Sequence, residues 1–309
     1  MFYQRAGMGR RMSGMPLAEG QTLNADVSDY VGAPAVRKVP TGISALDAIV
    51  DGGLPSGSTV LLLGDAGAGA HEFAYTGAAK LSLVRENPVS RSWILGVECK
   101  DSFIPQHISY VTFSRSRDSV LQEFAASFNH DYYDAFVRST VFKDLSAAYF
   151  RDSPVPSRWT FAEENPFGAG EEGLLEGLLG FLDAHARETV VIVDSLTDLV
   201  ESAAVQPRDL VSAIKGIARA SKSWDGVVYL LLTKGIAEPR LEQSLIDSAD
   251  GCITFEWRSY LKSSKRQRYM QFDKFTAVLP HLAEKKIARF PVRVMSRAGL
   301  VVDYVERIA

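Results

Sequence analysis

Four apolar residues in succession, Val60 to Leu63, run without polar interruption into a glycine-rich turn, which opens an alanine-rich stretch with helical spacing. A short unbroken apolar run bounded by turn residues predicts a buried strand. VLLLGDAGAGAHEF therefore predicts a strand over Thr59 to Leu63, a loop, and a helix over 70–86. Ahead of it, VPTGISALDAIVDGGLPSGST predicts a short helix carrying Leu46, Ile49 and Val50, capped at Thr41 or Ser44 and stopped at Gly52–Gly53. Downstream, a second strand is predicted over Trp93 to Val97, ending at Glu98 and Cys99, and 102–138 reads as mostly helical, most clearly in VLQEFAASF. TVFKDLS predicts a returning strand, and the proline-rich 152–170 a surface loop or insertion.

Leu174, Leu175, Leu178, Leu179 and Leu182 share one helical face, led by Glu171, Glu172 and Glu176 as the helix dipole favours. The apolar strand Val190 to Val193 then ends on Asp194, a helix opens at a proline over 207–223, and Gly226 to Leu232 ends on Thr233 and Lys234. GCITFEW and RYMQFDKF read as antiparallel-type strands around the basic turn KSSKRQR, with ARFPVRVM and GLVVDYVERI as a last pair. Strand and helix alternate through the middle and strands dominate the tail. The fold class is α/β, a mainly parallel sheet flanked by helices with a C-terminal antiparallel β extension.

The loop approaches the phosphate-binding pattern GxxxxGK[ST], with Gly64, Gly67 and Gly69 where backbone must come close to an anion. Ala70 stands where the pattern has lysine and His71 where it has serine or threonine. The lysine puts charge on the outer phosphates and the hydroxyl completes the Mg²⁺ shell. One charge-assisted hydrogen bond contributes about 1.5–3 kcal/mol, so its loss weakens nucleotide binding by roughly one to two orders of magnitude. Backbone N–H groups and the helix N-terminus still attract an anion. Gly64, Asp65, Ala66, Gly67, Ala68, Gly69, Ala70 and His71 are thus the candidate nucleotide-binding residues of an impaired site. The alternative is a glycine turn kept only for close strand–helix packing.

Three further residues carry candidate chemistry. Asp194 closes an apolar strand in the manner of a carboxylate that orients Mg²⁺ or its water shell. Glu98, at a predicted strand end, suits a general base toward attacking water or a solvated carboxylate. Lys274 in FDKFTA suits a phosphate contact in a neighbouring subunit or a plain surface lysine. His71 lies at no ligand spacing from His107, His130, His185 or His281, and is expected to start the helix without chemistry.

Composition narrows the partners. The 309 residues are 46% hydrophobic and 23% charged with a formal net charge of −3, a globular profile that makes no electrostatic case for nucleic acid or an anionic membrane. No run approaches the ~18 consecutive apolar residues of a spanning helix, and no apolar run follows the N-terminal arginines as in a secretory signal. Two cysteines, Cys99 and Cys252, without metal or framework spacing point to a reducing cytoplasmic compartment.

The lead-in VPTGISALDAIVDGGLPSGSTVLLLGDAGAG resembles the RecA superfamily in its archaeal, KaiC-like branch, where TGI-LD-GGLP-G precedes the phosphate loop. The resemblance runs on through VVIVDSLTDL, LLLT, ADGCITFEW and RYMQFDKF, and YVTFSRSRDSVLQEF is similar to the HTR-like group. It implies a RecA/KaiC-like domain over 38–280 with a β extension of that domain over 281–309, while residues 1–37, rich in Gly, Ser, Ala and Arg without periodicity, are expected to form a mobile N-terminal arm. It implies ATP and Mg²⁺ as ligands, Asp194 for the metal, Glu98 as first of a pair of acids, and Lys274 as a trans-acting lysine. Against the family pattern stand Ala70 and His71, Cys99 for the second acid, and Thr276 for a trans arginine. These depart from phosphate clamp, metal, base and transition-state charge together, which implies a regulatory or scaffolding pseudo-ATPase acting through copies of itself or a protein partner. The alternatives are an ATPase using Lys80, Lys234 or Lys274, and a RecA-like DNA-binding paralogue.

Overall fold

The computed structural model describes residues 36–160, 172–259, 266–303 and 305–307. The expected arm over 1–37 falls almost wholly outside them, as do parts of the 152–170 loop and of the basic turn. The chain enters as β1 (Lys38–Val39), makes α1 (Ser44–Asp47), and returns as β2 (Leu54–Pro55) to pair with β1. Then come β3 (Ser58–Gly64), α2 (Ala70–Glu86), α3 (Arg91–Leu95), β4 (His107–Thr112), α4 (Arg117–Ser127), α5 (His130–Ser139) and β5 (Thr140–Asp144). After α6 (Ser146–Tyr149) follow α7 (Leu174–His185), β6 (Thr189–Asp194), α8 (Leu196–Glu201), α9 (Pro207–Ala220), β7 (Val227–Thr233) and α10 (Pro239–Ser248). The tail is β8 (Gly251–Ser259), β9 (Arg266–Phe275), α11 (Leu279–Glu284), β10 (Ile287–Met295), β11 (Gly299–Val302) and β12 (Glu306–Arg307).

The main sheet runs in the order β11-β10-β9-β8-β3-β7-β6-β4-β5, with β12 beside β10. β8, β3, β7, β6, β4 and β5 are mutually parallel, and β9 to β12 continue the same sheet antiparallel. β8, expected to be an antiparallel-type strand, is therefore parallel to β3 on one side and antiparallel only to β9 on the other. Unbroken apolar runs are dictated by burial on both faces. Val60 and Leu62 turn to the layer of α2, α4 and α5, while Leu61 and Leu63 turn to the layer of α7 to α10. The register aligns Gly64 with Thr233 and Phe255, and Thr112 with Asp194, so the loop after β3 and the end of β6 share the sheet's carboxyl edge.

Two predicted elements are corrected. Trp93 to Val97 is not a strand: Arg91–Leu95 is helical, Gly96 takes φ 100°, and Val97–Cys99 forms a 3₁₀ turn. Its apolar letters mislead because Trp93 and Val97 face solvent, while Leu95 and Cys99, four apart, are the buried pair. The strand that follows α2 is β4, within the stretch expected to be helical, where Ile108 and Tyr110 face one layer and Val111 the other. The short lead-in helix is capped by neither Thr41 nor Ser44. Ile43 holds the cap position, Ser44 reaches the Ile94 carbonyl, and Thr41 donates its N–H and its hydroxyl to buried Asp47, each at 2.8 Å.

Candidate functional site

The loop from Asp65 to Gly69 is held from outside by the β8–β9 pair. The Asp65 N–H donates to the Phe255 carbonyl, and its carboxylate accepts the Trp257 N–H at 3.0 Å. The Trp257 indole donates to the Ala66 carbonyl at 3.2 Å, and Arg268 Nε to that of Gly67 at 3.0 Å, with the guanidinium stacked on the Trp257 ring. Gly69 takes φ 123°, and a Cβ there would stand 3.1 Å from Leu300, so only glycine serves at the entry to α2. All eight loop residues expected at the site are brought together. A cavity of about 50 Å³ lies over them, lined by most of the loop, the first turn of α2, Ser195, Thr197 and Thr233.

Asp194 stands at the end of β6 beside this turn, 2% exposed, with both carboxylate oxygens engaged. Oδ1 contacts His71 Nε2 at 3.0 Å, while Oδ2 accepts from the Tyr110 hydroxyl at 2.5 Å and from Arg115 Nη1 at 2.9 Å. The other arm of Arg115 pairs with Glu123, and the Tyr75 and Tyr110 hydroxyls meet at 3.1 Å. Helical spacing puts His71 and Tyr75 on one face of α2, and β4 delivers Tyr110 and, just past its end, Arg115. Burial alone would raise the Asp194 pKa, but the His71 hydrogen bond and the charges of His71 and Arg115 hold it below the usual carboxylate value. Burial likewise pushes His71 down, and its bond to Asp194 outweighs this and sets it above the ordinary histidine value. His71 thus does more than start a helix: it is a hydrogen-bond partner of the strand-end aspartate, and an ion-pair partner once protonated.

Glu98 does not end the strand after the loop. It sits exposed in the 3₁₀ turn, its carbonyl against Gly52 and its carboxylate near Gly96. The strand-end position assigned to paired acids is instead followed by Phe113, Ser114 and Arg115, and Ser114 hydrogen-bonds Asp198 at the start of α8. Cys99 is a buried thiol near the Leu95 and Gly52 carbonyls, pushed up to about 12 by burial.

The three candidate lysines separate. Lys274 Nζ donates to the carbonyls of Ile246, Asp247 and Ala249 at 3.1, 2.6 and 2.7 Å, closing the C-terminus of α10. Its partner in register is Cys252, near the start of β8, away from the edge where Gly64 meets Phe255. Lys80 is buried and donates to the Gly42 carbonyl at 2.8 Å. Lys234 alone flanks the loop: its N–H donates to the Gly64 carbonyl at 2.9 Å, while its ammonium pairs with Glu256 at 2.8 Å. Arg115, Tyr110, Trp257 and Arg268 were not foreseen as site residues. The one signal for Arg115 was its place behind YVTF, a strand hidden by its polar positions.

Residues 39–83 match the family model of the KaiC ATPase. Among solved structures the chain is similar to the KaiC-like protein PH0186 from the hyperthermophilic archaeon Pyrococcus horikoshii OT3, at 17% identity and a TM-score of 0.55, covering 87% of this chain and 100% of that one. It is also similar to the flagellar accessory protein FlaH from Methanocaldococcus jannaschii, at 12% identity and a TM-score of 0.57, covering 87% of this chain and 99% of that one. At such identities the likeness is one of fold. The comparison with curated proteins found no match. Among the described residues no helix is long and apolar enough to cross a membrane. The family match thus rests on the lead-in and loop over 39–83, and across the rest of the chain the likeness to these two structures is that of a mainly parallel α/β fold flanked by helices.

Proposed function

We propose that this chain is a regulatory or scaffolding pseudo-ATPase: it keeps the phosphate loop of its superfamily but does not turn nucleotide over efficiently. The observation that carries this reading is the charge arrangement at the sheet's carboxyl edge. The loop has Ala70 in place of a cation, and the carboxylate that would serve the metal is paired with His71 and Arg115. Phosphoryl transfer rests on positioned positive charge over the transferred group and on a base or oriented water. Neither Ala70 nor the Ser114–Arg115 strand end supplies these. Backbone N–H groups at the start of α2 remain to attract a phosphate, which supports weak nucleotide binding without fast hydrolysis. The output is then contact, with copies of this chain or with a regulatory partner, in the cytoplasm, where two buried free thiols persist.

The test is phosphate release from saturating ATP with Mg²⁺, measured on the full chain beside Asp194→Asn. Release no faster than in the variant supports the reading. Turnover near about 1 s⁻¹ that Asp194→Asn abolishes would refute it. The position of Lys234 favours a second reading, an ATPase that turns this lysine inward from Glu256. Lys234→Met would then abolish turnover, whereas Lys80→Met and Lys274→Met would leave the chemical step intact.

A further inference from the structure

We propose that Arg115 and His71 are the resident cations of this site, so that Asp194 is closed to Mg²⁺ and any phosphate the loop holds is held without a divalent metal. The proposal deepens the pseudo-ATPase reading and rests on it for the loop's taking an anion. A carboxylate that serves Mg²⁺, directly or through its waters, must offer an open oxygen, and Mg²⁺ requires a nearly octahedral shell. A carboxylate has about four lone-pair directions. Three of those on Asp194 are taken, by His71, Tyr110 and Arg115, and the residue is almost wholly enclosed. The hydroxyl that would complete a metal shell from the first turn of α2 is replaced by the His71 imidazole, which itself occupies Oδ1. Among the described residues no group of three or more His, Cys, Asp or Glu side chains is arranged to hold a metal.

The arrangement is braced. Glu123 grips the second arm of Arg115, so the guanidinium is fixed in place at Asp194 from α4. Tyr75 on α2 supports the Tyr110 hydroxyl from the opposite side. With His71 protonated, two cations and two carboxylates, His71 and Arg115 with Asp194 and Glu123, balance within the cluster. A divalent ion placed there would stand beside a guanidinium that cannot titrate away. His71 is also the one ionisable cation among the cavity-lining residues, which puts protein charge where a metal-bound phosphate would otherwise find its Mg²⁺.

Two measurements on the full-length chain test this. In the first, Mn²⁺ is followed by electron paramagnetic resonance, alone and with ATP. The native chain is expected to leave the free Mn²⁺ signal as buffer or ATP alone leaves it, and a bound signal that Asp194→Asn removes would overturn the proposal. His71→Thr with Arg115→Ser, shown folded by circular dichroism, is expected to gain bound Mn²⁺ in the presence of ATP. A folded variant that stays blind to Mn²⁺ would show that these two side chains are not what excludes the metal. In the second, ATP affinity measured calorimetrically in Mg²⁺ and in EDTA should agree within about threefold. A loss of about tenfold or more in EDTA, worth about 1.4 kcal/mol, would overturn it. Mg²⁺-dependent binding without turnover would sink only this inference, whereas turnover would sink the pseudo-ATPase reading itself.

Discussion

The Arg115–Asp194 pair is a measurable quantity. Asp194 has a side chain 3% exposed and Arg115 one 25% exposed, so the pair is screened far less than a surface ion pair. Removing one partner of a buried pair costs about 3–5 kcal/mol when the other is left alone. In Arg115→Met, Asp194 still keeps His71 and Tyr110, so the expected loss is smaller, about 2–3 kcal/mol, in line with one hydrogen bond to a charged group. At this chain length that corresponds to a fall in Tm of roughly 3–5 °C. Asp194→Asn should cost a similar amount, because it strands His71 and half of Arg115. The informative figure is the coupling from a double-mutant cycle by urea unfolding, with the m-values checked to be equal. Coupling of about 2 kcal/mol is expected. A value at or below about 0.5 kcal/mol, typical of exposed pairs, would show that Arg115 merely lies near the aspartate and would remove the basis for treating it as a resident cation.

Other perturbations separate the remaining roles. Ala70→Lys with His71→Thr restores the clamp and frees Oδ1, and ATP affinity by calorimetry should rise by about one to two orders of magnitude; no gain would mean that Trp257 and Arg268 hold the loop in a shape unfit for phosphates. His71 has its pKa raised above 6.5 by Asp194, so its share of stability is full below that value and is lost as pH rises through the folded one. Tm should therefore fall over that window, and His71→Thr should flatten the fall; an unchanged slope would place the titration elsewhere. Lys274→Met uncovers three carbonyls at the end of α10 and should cost about 1–2 kcal/mol in urea while leaving ATP affinity unchanged. Glu98→Gln, at an exposed 3₁₀ turn, should alter neither stability nor affinity by more than about 0.5 kcal/mol.

What local pattern encodes was readable in advance. The run Val60 to Leu63, the glycines after it and the helix over 70–86 are short-range features, and β3, the loop and α2 follow them closely. The same holds for Val190 to Val193 and Asp194. β4 escaped notice because His107, Ser109 and Thr112 break its apolar pattern, although Ser109 and Thr112 are buried, with their hydroxyls bonded to the His185 and Arg115 carbonyls. Trp93 and Val97 drew attention as strand residues for the opposite reason, being apolar at the surface. Misplacing that strand by about fifteen positions put Glu98 where Ser114 and Arg115 belong. Partnerships were beyond reach: Arg115 meets Asp194 across 79 residues and His71 meets it across 123, and no periodicity announces a contact of that span. Lys274 carries the letter a trans-acting role requires, yet its Nζ is spent on a helix end 25 to 28 residues away.

The departures at this site belong together electrostatically. A buried aspartate at the end of β6 must be compensated, because an unpaired charge at such depth is costly by several kcal/mol. In a working phosphoryl-transfer site the metal and the loop lysine provide much of that compensation. With alanine in the lysine's place, Asp194 would face the cavity with its charge unanswered unless cations came from within the protein. They do so from two directions, His71 from the residue after Ala70 and Arg115 from just past the end of β4. On the pseudo-ATPase reading proposed above, Ala70 at the lysine position, His71 at the hydroxyl position and Arg115 past β4 form one electrostatic arrangement. It follows that restoring any single position should fail to restore a metal site: Ala70→Lys alone leaves Oδ1 and Oδ2 occupied, and Arg115→Glu alone places a third carboxylate beside Asp194 and Glu123. The combination of Ala70→Lys with His71→Thr and Arg115→Ser is the smallest change that clears both charged partners from Asp194 and returns a cation to the loop, and Mg²⁺-dependent ATP affinity should appear in that triple variant and in none of its single components.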